Sequence, residues 1–448
     1  MMEFKRKVFD KILDWKENWS RKYALFLRGA RRVGKTTLAE KLCKEQFKTY
    51  IKIDFREAPL VIKNLFLNNL YDLDSFFLEL QTYYNIILYP NESVILFDEI
   101  QLFPKAREAI TMLVKDGRYS YVETGSLASI KKKSENIVIP SEELQIDVFP
   151  LDFEEFLWAL KDETTMHFMK NAFEKRKSLG QAAHQRIMNL WRKYILIGGM
   201  PQAVLSYVEN NNFQSVDFVK QRILDLYRDD VAHQKEENIE YIQSIIDVIP
   251  SELSKHDKRF VISHANKNAR LDRYLGAFNW LSQSYIANFA YNANDPNVAL
   301  SLSVDDSSFK CYMGDTGLLI SLVFSGKDYI DNTLYKSILF DRLHVNEGMI
   351  IENAVAQAFK VNGKRLFFYS RRNKETRKME LEVDFLIERK GKISPVEVKS
   401  SILEAKTSLK NFKIKFNTKI GESFVLWDKD IKVEDNIIYL PLYMATLL

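Results

Sequence analysis

Between Tyr23 and Gln46 the chain passes from an apolar run, Tyr23-Ala24-Leu25-Phe26-Leu27, through a loop bounded by two glycines into a helix-forming stretch, Lys35–Gln46. The loop reads Gly29-Ala30-Arg31-Arg32-Val33-Gly34-Lys35-Thr36 and satisfies G-x-x-x-x-G-K-[ST]. A buried strand, a glycine-bounded turn and a helix in direct succession define the opening of an α/β unit. The glycines let the backbone wrap closely with several N–H groups pointing inward, and the helix that follows presents its positive N-terminal end to the same point. Such a loop is a cradle for phosphate. Lys35 is expected to reach the β- and γ-phosphates of ATP and Thr36 to offer its hydroxyl to Mg²⁺, with Gly29 to Gly34 and Thr37 completing the nucleotide contacts.

Further along, Val94-Ile95-Leu96-Phe97-Asp98-Glu99 is an apolar strand that ends in two carboxylates. Asp98 is placed to hold Mg²⁺ and Glu99 to orient and polarise an attacking water, so hydrolysis is expected rather than passive binding. Other strands are expected at Tyr50 to Asp54 and Tyr119 to Thr124, with helices over Leu60 to Leu70, Ser75 to Asn85 and Ala106 to Asp116. Continuous apolar runs alternating with helices predict a parallel sheet covered on both faces. Thr124-Gly125-Ser126 closes the last of these strands. Either hydroxyl is a candidate for sensing the γ-phosphate or positioning water, Ser126 as a catalytic group; a plain strand-end turn accounts for the segment as well. Arg31, Arg32, Arg118 and Arg228 are the candidate electrostatic partners, and the residues do not choose among them.

At 448 residues the chain is too long for one core, so about two to four domains are expected. No apolar run approaches the roughly 18–20 residues of a membrane span, and Met1 to Asp14 lacks the apolar core of a secretory signal. Two cysteines, Cys43 and Cys311, show no pairing or metal-ligand spacing, which points to a reducing cytoplasm. The net charge of +5 is uneven: residues 360–419 hold 17 Lys/Arg against 7 Asp/Glu, a local +10. Such a region is an electrostatic footprint for DNA or RNA, or an ordinary lysine-rich surface.

From about Leu151 the pattern turns helical, is broken at Gly198-Gly199-Met200-Pro201, and resumes from Gln202 to about Ser254. Residues 260–323 combine helices with short strands, Ile286 to Tyr291 and Phe309 to Met313, the order of a small winged-helix unit. A last helix, Glu347 to Lys360, precedes strands at Leu366 to Ser370, Glu382 to Glu388 and Pro395 to Lys399.

The segments LRGARRVGKTTL, ILFDEIQLFPKA, TGSLASI, FPLDFEEFL and YILIGGMPQAV, followed by IIENAVAQAF, EVDFLI and PVEVKSS, resemble in this order the bacterial and archaeal AAA-type ATPases that carry a C-terminal domain of unknown function 4143. The resemblance spans most of the chain. It implies an AAA-like P-loop module over residues 1–200, a helical and winged-helix middle over 201–335, and a C-terminal α/β domain over 336–448 related to PD-(D/E)xK nucleases. The chain departs from its relatives between Ser129 and Leu144, which is lysine-rich where they commonly carry Gly-Arg.

The nuclease-like relationship directs attention to Glu352, Asp384, Glu397 and Lys399. Alternation along a strand puts Glu397 and Lys399 on one face. Two carboxylates and a lysine converging there would bind Mg²⁺ and activate water against a phosphodiester, with Glu352 as a further ligand; the same groups also make a salt-bridge network that cuts nothing. Two functions follow. One is an ATP-driven switch acting on nucleic acid. The alternative is a regulatory ATPase whose C-terminal domain binds a protein partner without nuclease activity. Phe367, Phe368 and Tyr369 are expected to be core rather than base-stacking residues.

Overall fold

The computed structural model describes residues 3–125, 140–232, 234, 236–265, 271–296, 299–324, 347–373, 375, 379–398, 405–416 and 419–448. They divide into two compact units, one of residues 6–149 with 283–285, the other chiefly of 150–282 and 286–448.

The first unit follows the alternation in the sequence: α1 (Val8–Asn18), β1 (Ala24–Arg28), α2 (Lys35–Gln46), β2 (Thr49–Asp54), α3 (Leu60–Asn68), α4 (Leu73–Tyr84), β3 (Ser93–Asp98), α5 (Pro104–Asp116), β4 (Ser120–Gly125) and β5 (Glu143–Asp147). The five strands form one parallel sheet in the order β2-β3-β4-β1-β5. Every residue of β3 and β4 is buried, which is why these strands read as continuous runs instead of alternating ones. Beneath the sheet, Phe55, Phe66, Phe76 and Phe97 pack edge to face in a core with Ile95, Ile110 and Leu113. Because β4 lies between β1 and β3, the C-terminal ends of all three strands come together. That edge is where an open α/β sheet binds ligands.

The second unit opens with helices α6 (Phe153–Ala159), α7 (Thr165–Lys175), α8 (Gln181–Ile197), α9 (Pro201–Asn210), α10 (Phe213–Ala232), α11 (Glu236–Leu253), α12 (Ile262–Ala265) and α13 (Leu271–Gln283). It continues through β6 (Ala287–Ala293), β7 (Val304–Met313), α14 (Thr316–Val323), α15 (Glu347–Val361), β8 (Leu366–Arg372), β9 (Met379–Arg389), β10 (Lys392–Val398), α16 (Ala405–Phe416), β11 (Ser423–Trp427), β12 (Lys432–Glu434) and β13 (Ile437–Pro441). A capping box, Asp152 with Glu155, starts α6 in the segment LDFEEF.

The Gly198-Gly199 break has a local cause. Asp315 accepts from Gly199 N (2.6 Å) and, as the N-cap of α14, from Leu318 N (3.0 Å). Gly198 sits at φ +83°, and a β-carbon there would lie 2.3 Å from Asp315 Oδ1. Only glycine fits between α8 and that carboxylate.

Among the described residues, the eight strands of this unit form one mixed sheet, in the order β12-β13-β11-β10-β9-β8-β6-β7. β8, β9 and β10 form an antiparallel meander, and β11 and β13 run parallel to β10. The two strands expected within a separate winged-helix unit are present as the antiparallel pair β6–β7. However, β6 pairs in parallel with β8, so the hairpin extends the C-terminal sheet. Its backbone groups are satisfied by that sheet, a long-range pairing that local pattern does not encode. Phe367, Phe368 and Tyr369 on β8 are buried as core.

Candidate nucleotide site

Gly29 to Gly34 turns the chain from β1 into α2, and Gly34 takes φ +93° at the helix N-cap. Gly29 meets a different demand. A β-carbon on it would lie 2.1 Å from Val148 O, and Val148 N in turn donates to Arg28 O at 2.7 Å, so the loop begins pressed against the chain leaving β5. Lys35 Nζ lies over the loop and donates to the carbonyls of Gly29 (3.0 Å) and Ala30 (2.9 Å). Arg6 reaches in from the N-terminal side and bonds Val33 O (3.0 Å) and Phe149 O (2.6 Å), bracing the loop from behind.

Asp98 ends β3 fully buried. Its Oδ1 accepts from Thr36 Oγ1 (2.8 Å) and from Thr124 Oγ1. Its Oδ2 faces Lys52 Nζ at 3.2 Å and Arg56 at 3.8 Å. Thr124 also accepts from Glu99 N (3.3 Å), so this hydroxyl ties β4 to Asp98 at the end of β3 and to Glu99 just beyond it. A threonine hydroxyl and a carboxylate at hydrogen-bond distance on the phosphate side of the sheet form a hard oxygen donor pair that suits Mg²⁺. Ser126 lies outside the described residues.

Glu99 adopts φ +55°, uncommon for a residue with a side chain. Its carboxylate accepts from Gln101 Nε2. Gln101 is itself buried and stands against Gly125, where a β-carbon would lie 2.5 Å from its Oε1. The sequence motif named Asp98 and Glu99 but missed Gln101, Lys52 and Arg56. Lys52 and Arg56 reach the acids only because β2 lies beside β3 in register, Asp54 opposite Asp98. Lys52 keeps its charge: burial opposes it, but the hydrogen bond to Glu40 and the neighbouring Asp98 raise its pKa.

Of the arginines raised as partners, Arg31 and Arg32 stay in the loop. Arg118 sits at the opposite end of the sheet, before β4, and is bound by Asp74 (2.6 Å) and Asp116 (2.8 Å). It is removed from the site by strand direction. Arg228 lies on α10 of the second unit, 3.5 Å from Asp225.

The second constellation gathers differently from its expectation. Glu352 on α15 is buried, accepting from Tyr312 Oη (2.5 Å), Lys310 Nζ (3.1 Å) and Lys258 Nζ. Burial works against its charge, yet Lys310 and Lys258 hold its carboxyl below the usual carboxylate range. Lys310 on β7, wholly buried, also faces Glu382 (3.4 Å) and Asp384 (3.8 Å). Asp384 Oδ2 accepts from Val398 N (2.8 Å), and Glu397 is buried on β10. Lys399 lies outside the described residues. Among the described residues no group of three or more His, Cys, Asp or Glu is placed to hold a metal ion.

Residues 21–157 match the AAA domain family, 188–329 the domain of unknown function DUF8612, and 347–444 the domain of unknown function DUF4143. The chain thus joins an AAA domain to a C-terminal DUF4143 domain, with the middle forming a recognised family of its own that the sequence reading did not anticipate. No curated protein matches it. Similar solved structures include the Orc1 protein of Aeropyrum pernix in complex with DNA, at 12% identity over 72% of this chain and 93% of that one (TM-score 0.27). Cdc6p of Pyrobaculum aerophilum follows at 11% over 75% and 94% (TM-score 0.27). A signal-transduction ATPase with a tetratricopeptide repeat sensor from Pyrococcus horikoshii matches at 12% over 80% and 48% (TM-score 0.29). Likeness at this level carries nothing about function. No helix among the described residues is long and apolar enough to cross a membrane.

Proposed function

We propose that this chain is an ATP-driven switch that binds ATP with Mg²⁺ on the loop Gly29–Thr37 and hydrolyses it with Glu99. The observation that supports it most directly is Thr36 Oγ1 on Asp98 Oδ1, which brings the loop hydroxyl and the strand-end carboxylate to one point. Loop N–H groups and the N-terminal end of α2 receive the β- and γ-phosphates, and Lys35 neutralises their charge. Thr36 and Asp98 hold Mg²⁺, which supplies compensation for the negative charge that develops on the phosphate oxygens. Glu99 orients the attacking water and accepts its proton, and the hydroxyl of Ser126 or Thr124 positions that water. Phosphate release by wild type and Glu99→Gln tests the reading, with a fall of roughly a hundredfold expected. Equal rates would remove Glu99 from the chemistry, and Lys35→Ala is expected to abolish ATP binding.

For the output of the switch, the basic region 360–419 favours nucleic acid over a protein partner. Some of its charge is locally matched: Arg371 pairs with Glu380 (3.1 Å), Lys410 with Asp435 (3.3 Å) and Lys419 with Asp295 (2.7 Å). Each such pair carries no net charge, so the attraction for a polyanion comes from the excess of Lys/Arg over Asp/Glu in this region. DNA or RNA binding that weakens steeply with salt is expected. Salt-insensitive binding, or recovery of a protein partner with no nucleic acid bound, would move the output to the regulatory reading.

A further inference from the structure

The resemblance to PD-(D/E)xK nucleases implies a divalent metal among Glu352, Asp384 and Glu397, and the described residues do not fit one. Lys310 Nζ stands among three carboxylates at 3.1 Å (Glu352), 3.4 Å (Glu382) and 3.8 Å (Asp384). Lys310 donates a hydrogen bond to Glu352, and its ammonium stands at ion-pair distance from Glu382 and Asp384. The ammonium thus fills the space among the carboxylates in which a divalent ion, with bonds of about 2.0–2.6 Å, would have to stand. Two of the acids also have other partners. Glu352 takes Tyr312 and Lys258 besides Lys310, and Asp384 Oδ2 takes the backbone N–H of Val398. Phe368 closes the site from another side, its ring centroid 5.1 Å from Nζ.

We propose that Lys310 is the resident counter-ion of this acid cluster, so that the C-terminal domain takes no metal there and cleaves no phosphodiester through it. The lysine arrives on β7, the edge strand that reaches the sheet through β6. One side chain therefore ties β7 to α15 and β9, and the acids serve as a brace where a nuclease would hold its ion. The inference is independent of the ATPase reading, since all of these residues lie in the second unit.

Two measurements on the full chain test it. The first titrates nucleotide-free wild type with Mn²⁺, following bound ion by electron paramagnetic resonance, with Asp384→Asn in parallel. No site that depends on Asp384 is expected. One equivalent of Mn²⁺ lost on Asp384→Asn would overturn the proposal. The second measures charge balance by thermal unfolding. Lys310→Met leaves buried acids uncompensated and is expected to lower the unfolding temperature of the second unit by roughly 10 °C. Adding Glu352→Gln should recover most of that loss. If Lys310→Met alone does not fold, the double variant carries the test, because only charge balance predicts that a second substitution restores the protein. A Lys310→Met protein that melts with wild type, or a double variant no better than the single, would overturn the proposal.

Discussion

Thr36 Oγ1 donates to Asp98 Oδ1 across 2.8 Å, joining the first turn of α2 to the last residue of β3. The two residues are 62 positions apart in sequence, and the contact exists because β4 holds β1 and β3 at a fixed separation. Asp98→Asn keeps the shape and the acceptor oxygen but removes the charge that would hold Mg²⁺. ATP binding without metal should stay within about tenfold of wild type, since the loop N–H groups and Lys35 are untouched. The gain in affinity that Mg²⁺ confers should disappear, and turnover should fall by roughly a hundredfold. Nucleotide titrations with Mg²⁺ and with EDTA separate these effects; an undiminished Mg²⁺ gain would show that Asp98 is not the metal-side carboxylate.

If Glu99 acts on water as proposed, Gln101 is its positioning residue. Its amide donates to the carboxylate, while its own place is fixed by burial and by the absence of a side chain at Gly125. Gln101→Ala frees Glu99 to rotate, so kcat is expected to drop about tenfold with KM for ATP little changed. Gln101→Glu puts a second carboxylate beside the first and should raise the pKa on which kcat depends. A merely structural role for Gln101 would lower folded yield and leave that pH profile where it was. Equal kcat in Gln101→Ala and wild type would end the assignment.

Glu123 and Arg107 give a prediction about pH. Glu123 on β4 is fully buried, and burial first, then the nearby Glu143, pushes its pKa well above the usual 4.5. Arg107 is already engaged with Glu143 through contacts of 2.8–3.0 Å, leaving Glu123 at 3.9 Å. The folded protein therefore keeps Glu123 protonated in a range where the unfolded chain ionises it. Stability from this group is full below the unfolded value and is lost as pH rises toward the folded one. Glu123→Gln is uncharged throughout, so it should unfold at a higher temperature than wild type at pH 7, the gap closing as pH falls toward about 4.5. A variant less stable than wild type at pH 7 would mean that Glu123 is ionised in the fold and needed as such.

The sequence makes the first unit largely legible because its information is local. A glycine-bounded loop between an apolar run and a helix, and two carboxylates closing a second apolar run, each carry their chemistry within about ten residues. The parallel sheet follows from the alternation of strands and helices. Its strand order does not, and so Lys52 and Arg56 beside Asp98 stayed hidden. Strand β5, Glu143–Asp147, was missed for another reason: it is a short edge strand only partly buried, with polar residues at most positions, and its pairing with β1 is what makes it a strand. The second unit was legible in its elements but not in its assembly. The helix Glu347–Val361 and the strands of the meander lie close to where they were expected, yet Lys310 comes from a hairpin that the sequence assigns elsewhere. A lysine 42 residues before Glu352 carries no sign of that meeting.

The motif role and the structural role of Gly29 can be told apart. Phosphate binding asks only that the loop backbone approach closely. The fold adds that Val148 O occupies the space a β-carbon would need, 2.1 Å away, while Val148 N is held by Arg28 O. Neither backbone can retreat without breaking that hydrogen bond, so the clash must be absorbed by shifting β5 or the start of the loop. Gly29→Ala should therefore destabilise the first unit by about 2–4 kcal/mol, whether or not nucleotide is present. Thermal unfolding of the nucleotide-free variant measures this directly, against Gly180→Ala as a control, where a β-carbon meets nothing within 4 Å and only the backbone conformation is strained. If Gly29→Ala melts with wild type and loses only its ATP binding, the packing against Val148 is not what demands glycine, and the phosphate alone sets the requirement.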